Sequence, residues 1–102
     1  MEEKKKQIVD LACRLLQKKS IPPPPGEPAF SALAGDGSQR AFFRLRFADR
    51  TAVIAVLPAC RDLAQMAEAR AAWQIGMHLY RAGVPVPEPL AYDEESGAIL
   101  FE

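Results

Sequence analysis

The residues with the most chemical promise in this chain lie close together: Gly35-Asp36-Gly37-Ser38, followed by Arg40, Phe42 and Arg44. Two glycines and a small hydroxyl residue let backbone N–H groups come close to an anion, because no glycine side chain stands in the way. An arginine just after them adds a permanent cation able to grip a phosphate or carboxylate through two N–H groups. The chemistry suggested is the holding of a phosphorylated ligand. Segments of Gly, Asp and Ser are also common simply as turns, so taken alone the stretch supports both readings. It is not a Walker-type loop, since no Gly-Lys-Ser/Thr follows and no helical pattern starts there.

Other reactive residue types are sparse. His78 is the only histidine and has no acidic or cysteine neighbour in register, which suits a packing or surface role. Cys13 and Cys60 have no paired spacing, so neither a metal site nor a redox motif is expected, and free thiols in a reducing compartment are the reading. Trp73, Met66 and Met77 read as core, and Glu94 and Glu95 as solvated turn residues. Acidic and basic residues balance at 13 each, which argues against a basic face for nucleic acid. Asp10 and Arg14 interrupt the only apolar run near the N-terminus, so neither a leader nor a membrane span is expected and the location reads as cytoplasmic.

The elements that must position these residues follow from periodicity. Residues 1–20 read as an N-terminal amphipathic helix, with Ile8, Leu11, Ala12, Leu15 and Leu16 at helical spacing. Residues 21–28 form a proline-rich linker, where four consecutive prolines exclude helix and central strand. Residues 29–102 then form one domain. It opens with three antiparallel strands at 29–33, 40–47 and 51–57. On the second, Ala41, Phe43, Leu45 and Phe47 alternate with Arg40, Phe42, Arg44 and Arg46, giving one apolar and one basic face. A long helix at 62–82 carries Leu63, Met66, Ala67, Arg70, Trp73, Met77 and Tyr80 at helical spacing, with Gly83 suited to its C-terminal cap. Two short strands at 90–92 and 98–101 flank a turn at 94–97. The expected class is α+β: a five-stranded antiparallel sheet with one long helix, plus the N-terminal helix, and no βαβ crossover.

Two stretches carry a family resemblance. GDGSQRAFFRL (35–45) resembles the glycine loop of the aminoglycoside phosphotransferase and choline-kinase-like enzymes, nearest to their sugar-kinase branch. EARAAWQIGMHLYRAGVPVPEPLAYDEESGAILFE (68–102) resembles that family's glutamate helix, proline turn and approach to the hinge. The resemblance implies a protein-kinase-like N-terminal lobe that binds ATP for transfer to a small molecule such as a sugar or amino sugar. It implies phosphate contacts from Gly35, Gly37 and Ser38, an apolar roof over adenine from Phe42, and a pocket wall from Val53. It makes Glu68 the helix carboxylate, and Phe101 and Glu102 the start of a hinge whose backbone hydrogen-bonds adenine. Phe42 and Val53 are equally compatible with ordinary half-buried strand positions.

The chain departs from that pattern on its third strand, which the resemblance expects to offer a lysine near Ala55, while no lysine occurs after Lys19. Arg40, on the cleft face directly after the glycine segment, is the first candidate to supply the cation, and Arg44 the second. Both also fit as solvated arginines on an exposed strand face. The catalytic aspartate and the magnesium ligands of the family follow the hinge, so the implied partners are nucleotide, a C-terminal lobe and a small-molecule acceptor. The 102 residues alone are expected to be inactive. Apolar cleft residues Phe42, Val53 and Phe101 suggest self-association of the lobe by itself. The alternative is a non-catalytic interaction or regulatory module with a kinase-like sheet; nucleic-acid and membrane partners are not expected.

Overall fold

The computed structural model describes residues 2–21, 26–33, 40–49 and 51–102. The proline run at 22–25 and the glycine segment, with Gly35, Gly37 and Ser38, lie outside the described residues. The elements run α1 (Glu2–Lys18), β1 (Ala29–Leu33), β2 (Ala41–Arg46), β3 (Ala52–Leu57), α2 (Leu63–Arg81), β4 (Pro89–Tyr92) and β5 (Ile99–Phe101). The fold is α+β, with two helices and one five-stranded sheet in which every neighbouring pair is antiparallel.

The strand order is β1-β2-β3-β5-β4. Because β5 sits between β3 and β4, those two strands point the same way, and α2 connects them as a split crossover. This corrects the expectation of no crossover. The placement has a local cause: Pro89 cannot donate to a ladder, which confines β4 to an edge. A register irregularity between Pro89 and Ala91 marks the same strand.

The alternation on β2 sorts the sheet into two faces. Phe43 and Leu45, together with Phe47 beyond the strand end, are buried, whereas Arg44 is half-buried and Arg46 exposed. One face is sealed by α1, whose Ile8, Val9, Ala12, Leu15 and Leu16 join Phe43, Leu45, Phe47, Val53, Ala55, Ala91 and Leu100 in a single core. Phe30 stacks on Phe43 with ring centroids 5.2 Å apart, and Lys4 Nζ lies 5.7 Å from the Phe43 ring centroid. Val9 belongs to this core beside the expected residues, while Leu11 is only half-buried.

The end of α1 shows an unusual residue choice. The Ile21 N–H donates to the Leu16 carbonyl at 2.8 Å and the Ser20 N–H to the Gln17 carbonyl at 3.0 Å. This is the closure in which a left-handed residue, most often glycine, follows the helix. Here that residue is Ser20, with φ of 60°. A Cβ in the left-handed region costs roughly 1–2 kcal/mol, partly offset by the greater unfolded-state entropy of glycine. Ser20→Gly should therefore raise the unfolding free energy by about 0.5–1 kcal/mol. Urea titration checks this, and an unchanged or lowered midpoint would show that the turn carries no such strain.

Candidate functional site

The site is built around the first turns of α2. Asp62 is the N-cap: its carboxylate accepts from the Gln65 N–H at 2.7 Å and from the Cys60 thiol at 2.9 Å. Gln65 reaches back, its side-chain oxygen accepting from the Cys60 N–H at 3.0 Å. Three hydrogen bonds thus tie the turn to the start of the helix. The thiol hydrogen bond, then the Gln65 N–H, hold the Asp62 carboxyl below its usual range, and the same contact with Asp62 pushes the Cys60 thiol up. At its far end α2 closes on Gly83 (φ 85°), with the Val84 N–H donating to the Leu79 carbonyl at 3.0 Å and the Gly83 N–H to Tyr80 at 3.1 Å.

Between these ends α2 rests lightly on the sheet face opposite α1. Trp73 stacks on Tyr92 of β4 at 5.8 Å, and a Cβ added at Gly76 would sit 3.6 Å from Pro89 and 3.9 Å from the Phe101 ring. Ala69 is the helix's buried residue. The stripe expected through Leu63 and Tyr80 is corrected: Leu63 is 91% exposed and Tyr80 42%, because α2 meets the sheet along Ala69, Trp73 and Gly76 instead.

This light contact leaves a cavity of about 470 Å³ between the start of α2 and the sheet. Val56 and Ile99, paired across β3 and β5, belong to its sheet side. Asp62, Gln65, Glu68 and Ala69 form the helix side, and Arg40, Pro58 and Gly97 complete the lining. Gly97 has φ of 77°, and a Cβ there would come within 3.0 Å of both Met66 Sδ and Pro58 Cγ, so the glycine is what allows the β4–β5 turn to close this end of the cavity. That turn is fixed by Asp93, whose carboxylate accepts from the Ser96 N–H at 3.1 Å and the Ser96 hydroxyl at 2.6 Å.

The fold thus brings Arg40 and Glu68 to one cavity. Phe42 lies beside them: it pairs with Val56 across β2–β3, and the Arg40 guanidinium carbon stands 5.3 Å from its ring centroid. Phe101 is half-buried on the same sheet face, in register with Ile54. Val53 is not brought to this group. It pairs with Leu45 and is buried in the core on the α1 side, and Ala55 points there too. The expected lysine position is corrected accordingly, since the β3 residues facing α2 are Ile54 and Val56. At the expected start of the hinge, the Glu102 N–H donates to the Glu88 carbonyl at 3.0 Å. Arg44 is half-buried further along the same face, and His78 is exposed on α2, away from the cavity. Cys13 and Cys60 are both free.

Sequence reasoning missed Asp62, Gln65 and Gly97. The first two were readable, since an acidic residue followed three positions later by glutamine is a helix-start signature. No family model matches the chain, and no curated protein matches it.

The cap has a defined pH window. A depressed carboxyl pKa contributes stability above its ordinary value of 3.8 that is lost as pH falls, while a raised thiol pKa contributes stability below its ordinary value of 9.0 that is lost as pH rises. Asp62→Ala should lower the melting temperature at pH 7, and its gap from the parent chain should shrink as the pH falls below the carboxylate range. The same variant should make Cys60 react faster with iodoacetamide near pH 8, because the thiol loses the contact that keeps it protonated. Unchanged alkylation rates would show that the thiol–carboxylate contact is absent in solution.

Proposed function

We propose that this chain is the ATP-binding lobe of a small-molecule phosphotransferase, with a sugar or amino sugar as acceptor and a cytoplasmic location. The observation that carries the reading is that Arg40 and Glu68, picked out for phosphate binding and for its support, line a single cavity between the sheet and α2. Its volume lies within the roughly 300–1,000 Å³ of small-molecule sites. Phe42 and Phe101, which the resemblance assigns to adenine, lie on the same face of the sheet. No described helix is long and apolar enough to cross a membrane.

In this reading the guanidinium of Arg40 offsets the charge of the phosphates, and Glu68 orients it, as a helix carboxylate orients the lysine of kinases. Arginine suits the task because it stays charged and presents paired donors to phosphate oxygens. Magnesium would neutralise charge on the transferring phosphate. Asp62 is a poor ligand for it, because Oδ1 is held by the Gln65 N–H and Oδ2 by the Cys60 thiol. Metal binding and the catalytic base are therefore assigned to a second lobe. Val53, buried on the far face, drops out of the proposed nucleotide contacts.

The 102-residue chain should bind ATP weakly and show neither ATP hydrolysis nor sugar phosphorylation above a blank. Turnover by the pure chain would overturn the division of labour, and no ATP binding by a complete protein would favour the non-catalytic module. In a complete enzyme Arg40→Ala should cost roughly 2–4 kcal/mol in kcat/KM, as for one preorganised donor. Arg46→Ala should cost far less, since Arg46 is exposed at the other end of β2, opposite Ala52. Equal losses would remove Arg40 from the phosphate role.

A further inference from the structure

We propose that the outer edge of β1 is a self-pairing surface, on which a second copy of this chain adds its own β1 in antiparallel register centred on Ser31. Nothing in this depends on the nucleotide reading. The two edges of the sheet differ. β4 is four residues long, begins on Pro89 and carries a register irregularity between Pro89 and Ala91. A short strand, a proline and a bulge are devices that keep an edge from pairing with another chain. β1, at the other end of the strand order, has none of them inside its ladder. Its five residues, Ala29-Phe30-Ser31-Ala32-Leu33, pair with β2 in unbroken register and include no charge. The nearest charge along the chain is Glu27, two positions before the strand. Ala29, Ser31 and Ala32 are exposed. Among the described residues, no backbone group of this strand bonds outside its ladder with β2. Alternate N–H and C=O groups of β1 therefore face outward, in position to accept a further strand.

The strand's own sequence fits that position. Antiparallel pairing about a two-fold axis at Ser31 sets Ser31 opposite Ser31, Phe30 opposite Ala32 and Leu33 opposite Ala29. Each large side chain meets a small one, and no like charges meet. Strand parity agrees as well. Phe30 stacks on Phe43 on the α1 side, and Ala32 is the ladder partner of Phe43. Ala29, Ser31 and Leu33 share the opposite face with their partners Arg46, Arg44 and Phe42. The pairing keeps Phe30 and Ala32 of both copies on one face, so the two sheets join as one without exchanging sides. With no charge on β1, the edge gives an acidic or basic strand nothing to pair with, and its own sequence supplies the matching sizes. A single strand pair buries less than the roughly 1,200 Å² of stable interfaces, so the association is weak and depends on concentration.

The test follows the 102-residue chain by translational-diffusion NMR as its concentration is raised. Its apparent mass should climb toward that of a dimer, with a midpoint of about 0.1–1 mM. In an equal mixture of carbon-13-labelled and unlabelled chain, isotope-filtered NMR should place the Phe30 ring of one copy beside the Ala32 methyl of the other. Ser31→Glu should weaken the association about tenfold or more, because two carboxylates then meet at the axis. Within its own chain that glutamate lies opposite Arg44, which favours the fold. If the variant nevertheless fails to fold, the filtered contacts in the parent chain decide. A parent chain that stays monomeric at every concentration overturns the proposal. So does association without the Phe30–Ala32 contact, or folded Ser31→Glu that associates as tightly as the parent. Either of these would move the interface to another surface, such as the sheet face around Phe42 and Phe101.

Discussion

Everything in this fold depends on the seam between α1 and one face of the sheet. A five-stranded sheet of this length cannot stand alone; one face must be withdrawn from water. Here α1 does that, pressing Ile8, Ala12, Leu15 and Leu16 onto Phe43, Leu45, Phe47 and Val53. Each of these side chains except the smaller Ala12, fully buried, is worth roughly 1.5–3 kcal/mol. Leu45 and Leu100, the largest fully buried side chains, lie in the interior strands β2 and β5, on either side of β3, under this seal. Because stability is concentrated there, the other face is free to carry Arg44, Arg46 and a cavity without unfolding the sheet.

The same division explains α2. A helix holding one buried residue cannot owe its position to packing alone. It is held instead by its ends and by two local contacts: the Asp62 cap, the closure at Gly83, the Trp73–Tyr92 stack and the approach at Gly76. Elements with few buried apolar contacts belong to the low-stability end of a protein. Glu68 therefore sits on a helix whose pitch against the sheet can adjust at small cost, whereas Val56 and Ile99 across the cavity sit on fixed strands. The two walls of the cavity are therefore held by different means, one by helix ends and local contacts and the other by strand pairing.

How much of this was legible depends on whether a segment carried its own pattern. The second strand alternates apolar with basic, so both faces of β2 followed from sequence, as did the cap at Gly83. The third strand, Ala52-Val53-Ile54-Ala55-Val56-Leu57, is apolar throughout and contains no alternation. Its strand character was plain but its facing was not, and a shift of one residue exchanges the two faces completely. That is why Val53 and the lysine position near Ala55 were assigned to the cleft when the register places both beneath α1. The helix stripe misled for a related reason. Spacing on α2 identified a helix, but Leu63 at its start is left exposed to solvent.

The register also explains why a cation on this face belongs on the second strand. The β3 positions that face α2 are Ile54 and Val56, and Val56 is the one on the cavity wall. A lysine there would have to displace apolar contact with Ile99, its partner on β5, and would be flanked by Phe42 on β2. Arg40 avoids that cost. It has the same parity as Phe42, Arg44 and Arg46, so it projects to the same face, but it alone of the four lies outside the paired segment that begins at Ala41. Arg44 and Arg46 are held in the ladder opposite Ile54 and Ala52, away from the cavity. Position 40 is where strand parity points toward the cavity and ladder constraint has ended. A charged side chain placed there, just before β2, keeps its reach without breaking the apolar floor of the cavity.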